Sequence, residues 1–182
     1  MLKMILKYFK ELKKSMEYLG KNKNVVFLGQ AVEYPGTAMY NTLLNVPKKK
    51  RIELPVAEEM QMGMTVGYLL GRKIPVSIFP RFNFLLSGIN QLVNHLDKLK
   101  EMTGHNVSKA IIRTSIGSVV PLNPQCQHVG DFSKELQSMC KNISVVRLTE
   151  ASMIFKEYKK ALLRKDNIST ILVEYGDYYN SK

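Results

Sequence analysis

The chain has 182 residues, 45% apolar and 23% charged, which suits one globular domain and excludes an extended disordered chain. No run of about 18 to 20 apolar residues is present, and the first residues lack a signal-peptide apolar block, so a cytoplasmic location without a membrane role is expected. The formal net charge of +12 is spread over predicted helices and one loop, without a recognisable nucleic-acid module, which disfavours nucleic acid as the partner.

In chain order, residues 4–19 place Ile5, Tyr8, Phe9, Leu12, Met16 and Leu19 at mostly three- and four-residue steps between lysines. This predicts an amphipathic helix, stopped at Gly20, that packs on the domain's own sheet; residues 1–20 form the N-terminal element of a single domain over 1–182. Residues 24–28 read as a buried parallel strand closed by Gly29. Tyr34-Pro35-Gly36 is a turn, residues 38–44 a short helix, and residues 51–54 a brief extended segment that Pro55 keeps from being a central strand. Residues 58–70 predict a Met-rich helix whose Gly63 and Gly67 would let another element approach closely. A strand over 74–79, a helix over 84–100 and a strand over 110–113 follow. A long loop with Gly117, Pro121, Pro124 and His128 comes next. Helix 133–140, strand 144–148, helix 150–163, strand 169–174 and a polar tail to Lys182 complete the chain. The alternation predicts an α/β fold with a mostly parallel central sheet and helices on both faces. Ligands of such sheets bind beyond the carboxyl ends of the strands.

Several chemistries are excluded by their missing motifs. There is no G-x-G-x-x-G, no phosphate-loop G-x-x-x-x-G-K-[ST] and no G-x-S-x-G elbow. Cys126 and Cys140 make no disulfide framework, and the scattered His95, His105 and His128 give no zinc-ligand spacing, so no metal site is expected on this chain. Cys126 and His128 on one loop are a weak indication of a thiol nucleophile. Glu58 opens a helix, where the macrodipole alone favours a carboxylate.

The stretch from Val25 to about Tyr175 carries Phe27-Leu28-Gly29, Pro35-Gly36 and Arg51-Ile52-Glu53-Leu54-Pro55-Val56-Ala57-Glu58 with Gly63 and Gly67. It continues with Pro75-Val76-Ser77-Ile78-Phe79, Phe82-Asn83-Phe84, Asn90-Gln91-Leu92-Val93-Asn94, Gln127-His128 and Ile171-Leu172-Val173-Glu174. In this order the motifs resemble the pyrimidine-binding domain of thiamin-diphosphate-dependent enzymes, in particular the beta subunits of 2-oxoacid dehydrogenases in the transketolase-like superfamily. The resemblance implies that Glu58 hydrogen-bonds the pyrimidine N1′ of thiamin diphosphate and activates the cofactor. It implies that Phe82-Asn83-Phe84 packs on the aminopyrimidine, with Phe84 as the stacking ring and Phe82 largely core, and that His128 faces the substrate as a proton donor or oxyanion partner. Gln30 stands where the family carries an acid; it can bind the cofactor by a hydrogen bond but cannot act as a base.

Two further departures shape the expectation. The C-terminal domain of the beta subunits is missing from these residues, and so is the diphosphate-binding G-D-G…N motif that holds Mg²⁺. The resemblance therefore implies a split enzyme subunit for 2-oxoacid or related carbonyl chemistry. Its alpha-like partner would carry G-D-G…N, hold Mg²⁺ and share the cofactor, in a heterotetramer or dimer. The alternative is a non-catalytic binding or regulatory module derived from the same domain.

Overall fold

The computed structural model describes residues 2–119 and 123–179; the side chain of Ile5, Pro121 and the tail ending at Lys182 lie outside the described residues. Helix α1 (Leu2–Gly20) leads into β1 (Val25–Gly29), and a short helix α2 (Ala38–Asn41) precedes β2 (Arg51–Glu53). Helix α3 (Glu58–Leu70), strand β3 (Ile74–Ile78) and short helices α4 (Phe82–Leu86) and α5 (Leu99–Thr103) follow. The second half runs β4 (Ile111–Ile116), α6 (Ser133–Met139), β5 (Ile143–Arg147), α7 (Ala151–Leu163) and β6 (Ser169–Tyr175). All six strands lie parallel in one sheet, ordered β2-β1-β3-β4-β6-β5. The expected α/β architecture is present, and β2, the segment that Pro55 ends, is an edge strand.

Each face of the sheet carries its own apolar layer. On one, Tyr8, Leu12, Met16 and Leu19 of α1 meet Ile154, Tyr158, Ala161 and Leu162 of α7 over Phe27, Ile111 and Leu172. The lysine-flanked stripe of α1 is thus spent on packing within the domain, where each buried large side chain contributes about 1.5–3 kcal/mol. On the other face, Met62 and Leu69 of α3, Phe82 and Leu85 of α4, and Leu136 of α6 cover Ile112, Ile171 and Val173.

One expected element is built differently. The helix foreseen over 84–100 is broken into α4, a π-helical turn Gln91–Leu96 and α5. The break falls at Ser87-Gly88, where a side chain on Gly88 would begin 2.7 Å from Met62 Cγ and 3.1 Å from the Glu58 carbonyl oxygen. Close approach to α3 therefore uses Gly88, not Gly63 and Gly67. Nothing lies within 4 Å of where side chains on those two would begin, and they face outward.

A charged pair sits in the α1/α7 layer. Arg113 of β4 and Glu174 of β6 are fully buried and joined by two hydrogen bonds, Nε to Oε1 at 2.6 Å and Nη2 to Oε2 at 2.9 Å. Arg113 Nη1 also donates to Thr42 Oγ1 at 2.8 Å, and the Tyr158 and Tyr179 hydroxyls donate to the two Glu174 oxygens. Burial first, and the Glu174 charge second, raise the pKa of both tyrosines well above 10.0, which keeps them as donors. Both charges are thereby neutralised and hydrogen-bonded, the condition under which a buried ion pair is tolerated. Glu174→Gln or Arg113→Met alone is expected to destabilise the domain by about 3–5 kcal/mol in urea unfolding. The Arg113→Met/Glu174→Met double variant is expected to cost less than the sum, because no charge is stranded; simple additivity would contradict this coupling.

Candidate functional site

After β1 the chain crosses to β2 on one side, and β3 returns on the other. The connections leaving β1 and β3 therefore diverge, opening a crevice at the carboxyl ends of the two strands. A cleft of about 320 Å³ occupies this place. Gln30 and Ala31 line it from the β1 side, Met39 from α2 and Thr37 from the residue that caps it, Arg81 and Phe84 from the β3 side, and Tyr179 closes one wall.

The β1 side is held by two residues of β2. The Glu53 carboxylate accepts the backbone N–H groups of Ala31, Val32 and Glu33 at 2.6, 2.8 and 2.8 Å. Arg51 Nη1 donates to the Val32 carbonyl at 3.1 Å. Ala31 has φ of +53°, a left-handed turn that these bonds sustain. Gly29 is required at the end of β1, because its φ is +146° and a side chain would begin 2.3 Å from the Ile78 carbonyl oxygen.

The clamp aims Gln30 at the start of α3. Gln30 Nε2 donates to Glu58 Oε1 at 3.1 Å, so these two predicted residues meet. Glu58 is half-buried behind Gln30 and, like His128, is not itself among the residues that line the cleft. Phe84 is half-buried on the opposite wall, and the His128 ring lies 5.0 Å from the Phe84 ring, tilted by 55°. His128 Nδ1 is buried without a hydrogen-bond partner. Arg81 Nη1 straps the loop down by donating to the carbonyls of Gly117 at 3.1 Å and His128 at 3.3 Å. Asn83 Oδ1 accepts from Gly130 N–H at 3.3 Å.

Phe82 lies in the core and not on the cleft wall. It is fully buried, edge-on to Phe132 with ring centroids 5.5 Å apart, and belongs to the α3/α4 layer, not to the cleft. Asn90 and Gln91 stand beside Glu59, outside the cleft lining. Cys126 and Cys140 are free thiols, and burial, followed by Asp97, pushes Cys140 up to about 11, an inert thiol at neutral pH. Among the described residues no three His, Cys, Asp or Glu side chains converge to hold a metal ion, and no helix is long and apolar enough to cross a membrane. A second depression of about 270 Å³, near Leu96, Asp97 and Asn142, contains none of the predicted site residues.

The sequence reading assigned no role to Glu53 or Tyr179, and it placed Arg81 at the carboxyl end of a strand without giving it a partner. Glu53 had a usable signal, since an acid inside a three-residue strand must find donors nearby. Arg81 and Tyr179 act across long sequence separations that spacing alone does not reveal.

The parallel sheet thus brings Gln30 and Phe84 to the two sides of its crossover, with Glu58 held against Gln30. Comparison with known proteins gives the class of this fold. The pyruvate dehydrogenase E1 component subunit beta of Cyanidium caldarium is 24% identical over 172 residues, and that of Gracilaria tenuistipitata var. liui is 25% identical over 173. Each alignment covers 91% of this chain, which spans about half the length of these relatives, 50% and 51%. A split-gene transketolase solved as an inactive beta4 tetramer superposes with a TM-score of 0.61 at 14% identity, over 92% of this chain and 50% of that one. A thiamine diphosphate-dependent 4-hydroxybenzoylformate decarboxylase from Rhodococcus jostii superposes at 0.62 with 12% identity, over 94% of this chain and 31% of that one. No family model matches the chain. The fold is that of transketolase-like thiamin-diphosphate pyrimidine domains, and the sequence resembles the beta subunits of 2-oxoacid dehydrogenases.

The clamp on the β1 side is open to direct measurement. Glu53→Ala removes three charge-assisted bonds, and amide hydrogen exchange at Ala31, Val32 and Glu33 is expected to accelerate by about tenfold or more, with the β4 amides unchanged. Unaltered protection at residues 31–33 would show that the turn holds itself.

Proposed function

We propose that this chain is the pyrimidine-binding half of a divided thiamin-diphosphate enzyme that acts on a 2-oxoacid or a related carbonyl substrate, by decarboxylation or by acyl or ketol transfer. The observation that carries the reading is the Gln30–Glu58 hydrogen bond at the sheet's crossover, across a cleft from Phe84.

The residues present suit the aminopyrimidine ring. Phe84 offers an aromatic face, Glu58 a carboxylate for a ring nitrogen, and Gln30 an amide that fixes one oxygen of that carboxylate. Thiamin diphosphate, when bound, would supply a carbon nucleophile and an electron sink for a carbonyl substrate. The chain's own contribution is to seat the ring on Phe84 and to hold a proton between Glu58 and the ring nitrogen. His128, with its unpartnered Nδ1 on the Phe84 ring, is assigned to the substrate side as a proton donor. Phe82 supports α4 from beneath and makes no contact with the cofactor.

Mg²⁺ and the diphosphate group belong to a partner chain carrying G-D-G…N, in a heterotetramer or dimer. The outward face of α3 is a suitable contact for that partner, since Gly63 and Gly67 leave its backbone open to close approach. A second reading, a non-catalytic module, draws on one feature: Gln30, a neutral amide, already engages the Glu58 oxygen where the family carries an acid.

The two readings separate in one experiment. With the partner chain, thiamin diphosphate and Mg²⁺ present, exchange of the cofactor's C2 proton is followed by NMR. Glu58→Ala is expected to slow that exchange by about 100-fold or more while assembly persists. Equal exchange in the variant would remove Glu58 from the chemistry and favour the non-catalytic module.

A further inference from the structure

A basic surface lies at the amino end of the sheet, opposite the cleft. Three turns build it: residues 20–24 before β1, residues 44–50 before β2, and residues 71–73 before β3. The strands they feed are neighbours, with Val25 beside Ile74 and Phe27 beside Arg51. The turns also touch. Ile74 N–H donates to the Asn24 carbonyl at 2.9 Å, the Lys50 ammonium donates to the Asn22 carbonyl, and a side chain on Gly20 would begin 3.6 Å from Val46 and 3.7 Å from Pro47.

The three stretches contain no Asp or Glu, and Lys21, Lys23, Lys48, Lys49, Arg72 and Lys73 stand exposed on them. Lys50 is half-buried at the centre, and burial lowers its pKa. Lys49 and Lys73 push in the same direction, with no carboxylate offsetting them. Glu17, on the last turn of α1, is engaged by the Asn45 amide at 2.5 Å. Helix dipoles do not account for the cluster. Both α1 and α3 end here, yet neither has a basic residue in its last turn, so the cations belong to the turns outside the helices.

We infer that this surface docks an acidic protein segment that presents successive Asp or Glu side chains. Lysine tips are compact point charges suited to single carboxylates. Phosphate backbones are gripped by lysines as well as arginines, but specific nucleic-acid surfaces add arginine forks, helix N-termini or aromatic platforms. Here there is one arginine among the exposed cations, the helices present their C-termini, and the three turns contain no aromatic residue. A bilayer surface calls for a broad apolar face, and the turns expose Leu44 as their one large apolar side chain. Docking at this end leaves the cleft at the opposite end clear, and the charge would speed encounter with the acidic partner. The inference stands independently of the reading of the cleft.

The test uses the full chain and a labelled oligoglutamate peptide, followed by fluorescence anisotropy at about 150 mM salt, where diffuse attraction is screened. Lys48→Glu/Lys49→Glu/Lys73→Glu is compared with Lys10→Glu/Lys156→Glu/Lys159→Glu, which has the same net charge but changes exposed sites on α1 and α7. The first variant is expected to bind about tenfold or more weakly, and the second within about twofold of the native chain. Lys48→Gln/Lys49→Gln/Lys73→Gln repeats the comparison if the glutamate variant fails to fold. Equal weakening in both variants would overturn the inference, because attraction would then follow net charge. Tighter, patch-dependent binding of polyuridylate RNA or of phosphatidylserine vesicles than of the peptide would also overturn it.

Discussion

The buried pair between Arg113 and Glu174 is the constraint around which the domain is organised. Strands β4 and β6 are buried along nearly their whole length, and placing opposite charges on them is tolerable only if the strands lie side by side. Every polar group of the pair is then answered. Thr42 receives the remaining arginine nitrogen, and Tyr158 and Tyr179 fill the carboxylate oxygens. The network thus ties β4 and β6 to α7, to the turn after α2 and to the residues that follow β6.

The same network reaches the cleft. Thr42, while accepting from Arg113, donates to the Met39 carbonyl at 2.6 Å, and Met39 and Tyr179 both line the cleft. One wall is therefore fixed by a buried charge. The opposite walls are fixed by separate devices: the Glu53 carboxylate gathering three amides, Arg81 strapping the long loop, and Gly88 letting α3 close on the segment after α4. These supports hold the elements that carry the half-buried Glu58 and Phe84 side chains.

Much of this order was legible in the sequence. Parallel strands buried on both faces read as short apolar runs, and the steps Tyr8, Leu12, Met16, Leu19 declared the inner face of α1. Glu58 and Phe84 were singled out by the resemblance alone, since local physics leaves a helix-start carboxylate and an aromatic ring without assignment. The broken helix over 84–100 escaped notice because its cause is a contact between Gly88 and Met62, distant in sequence. Gly63 and Gly67 were expected to admit a neighbour within the domain, and they face outward because the sheet side of α3 is filled by Gln61, Met62, Thr65 and Leu69. Phe82 and Phe84, two residues apart on α4, take opposite sides: one fills the core and the other lines the cleft.

Under the proposed function, Glu58, Gln30 and Phe84 form the pyrimidine side of a cofactor site that a partner chain completes. That division is the central claim, and calorimetric titration of thiamin diphosphate with Mg²⁺ tests it most directly. The titration is run into this chain, into a G-D-G…N partner, and into their mixture. Saturable binding at one site per pair is expected in the mixture, and none into this chain alone. Tight binding to this chain by itself would contradict that division.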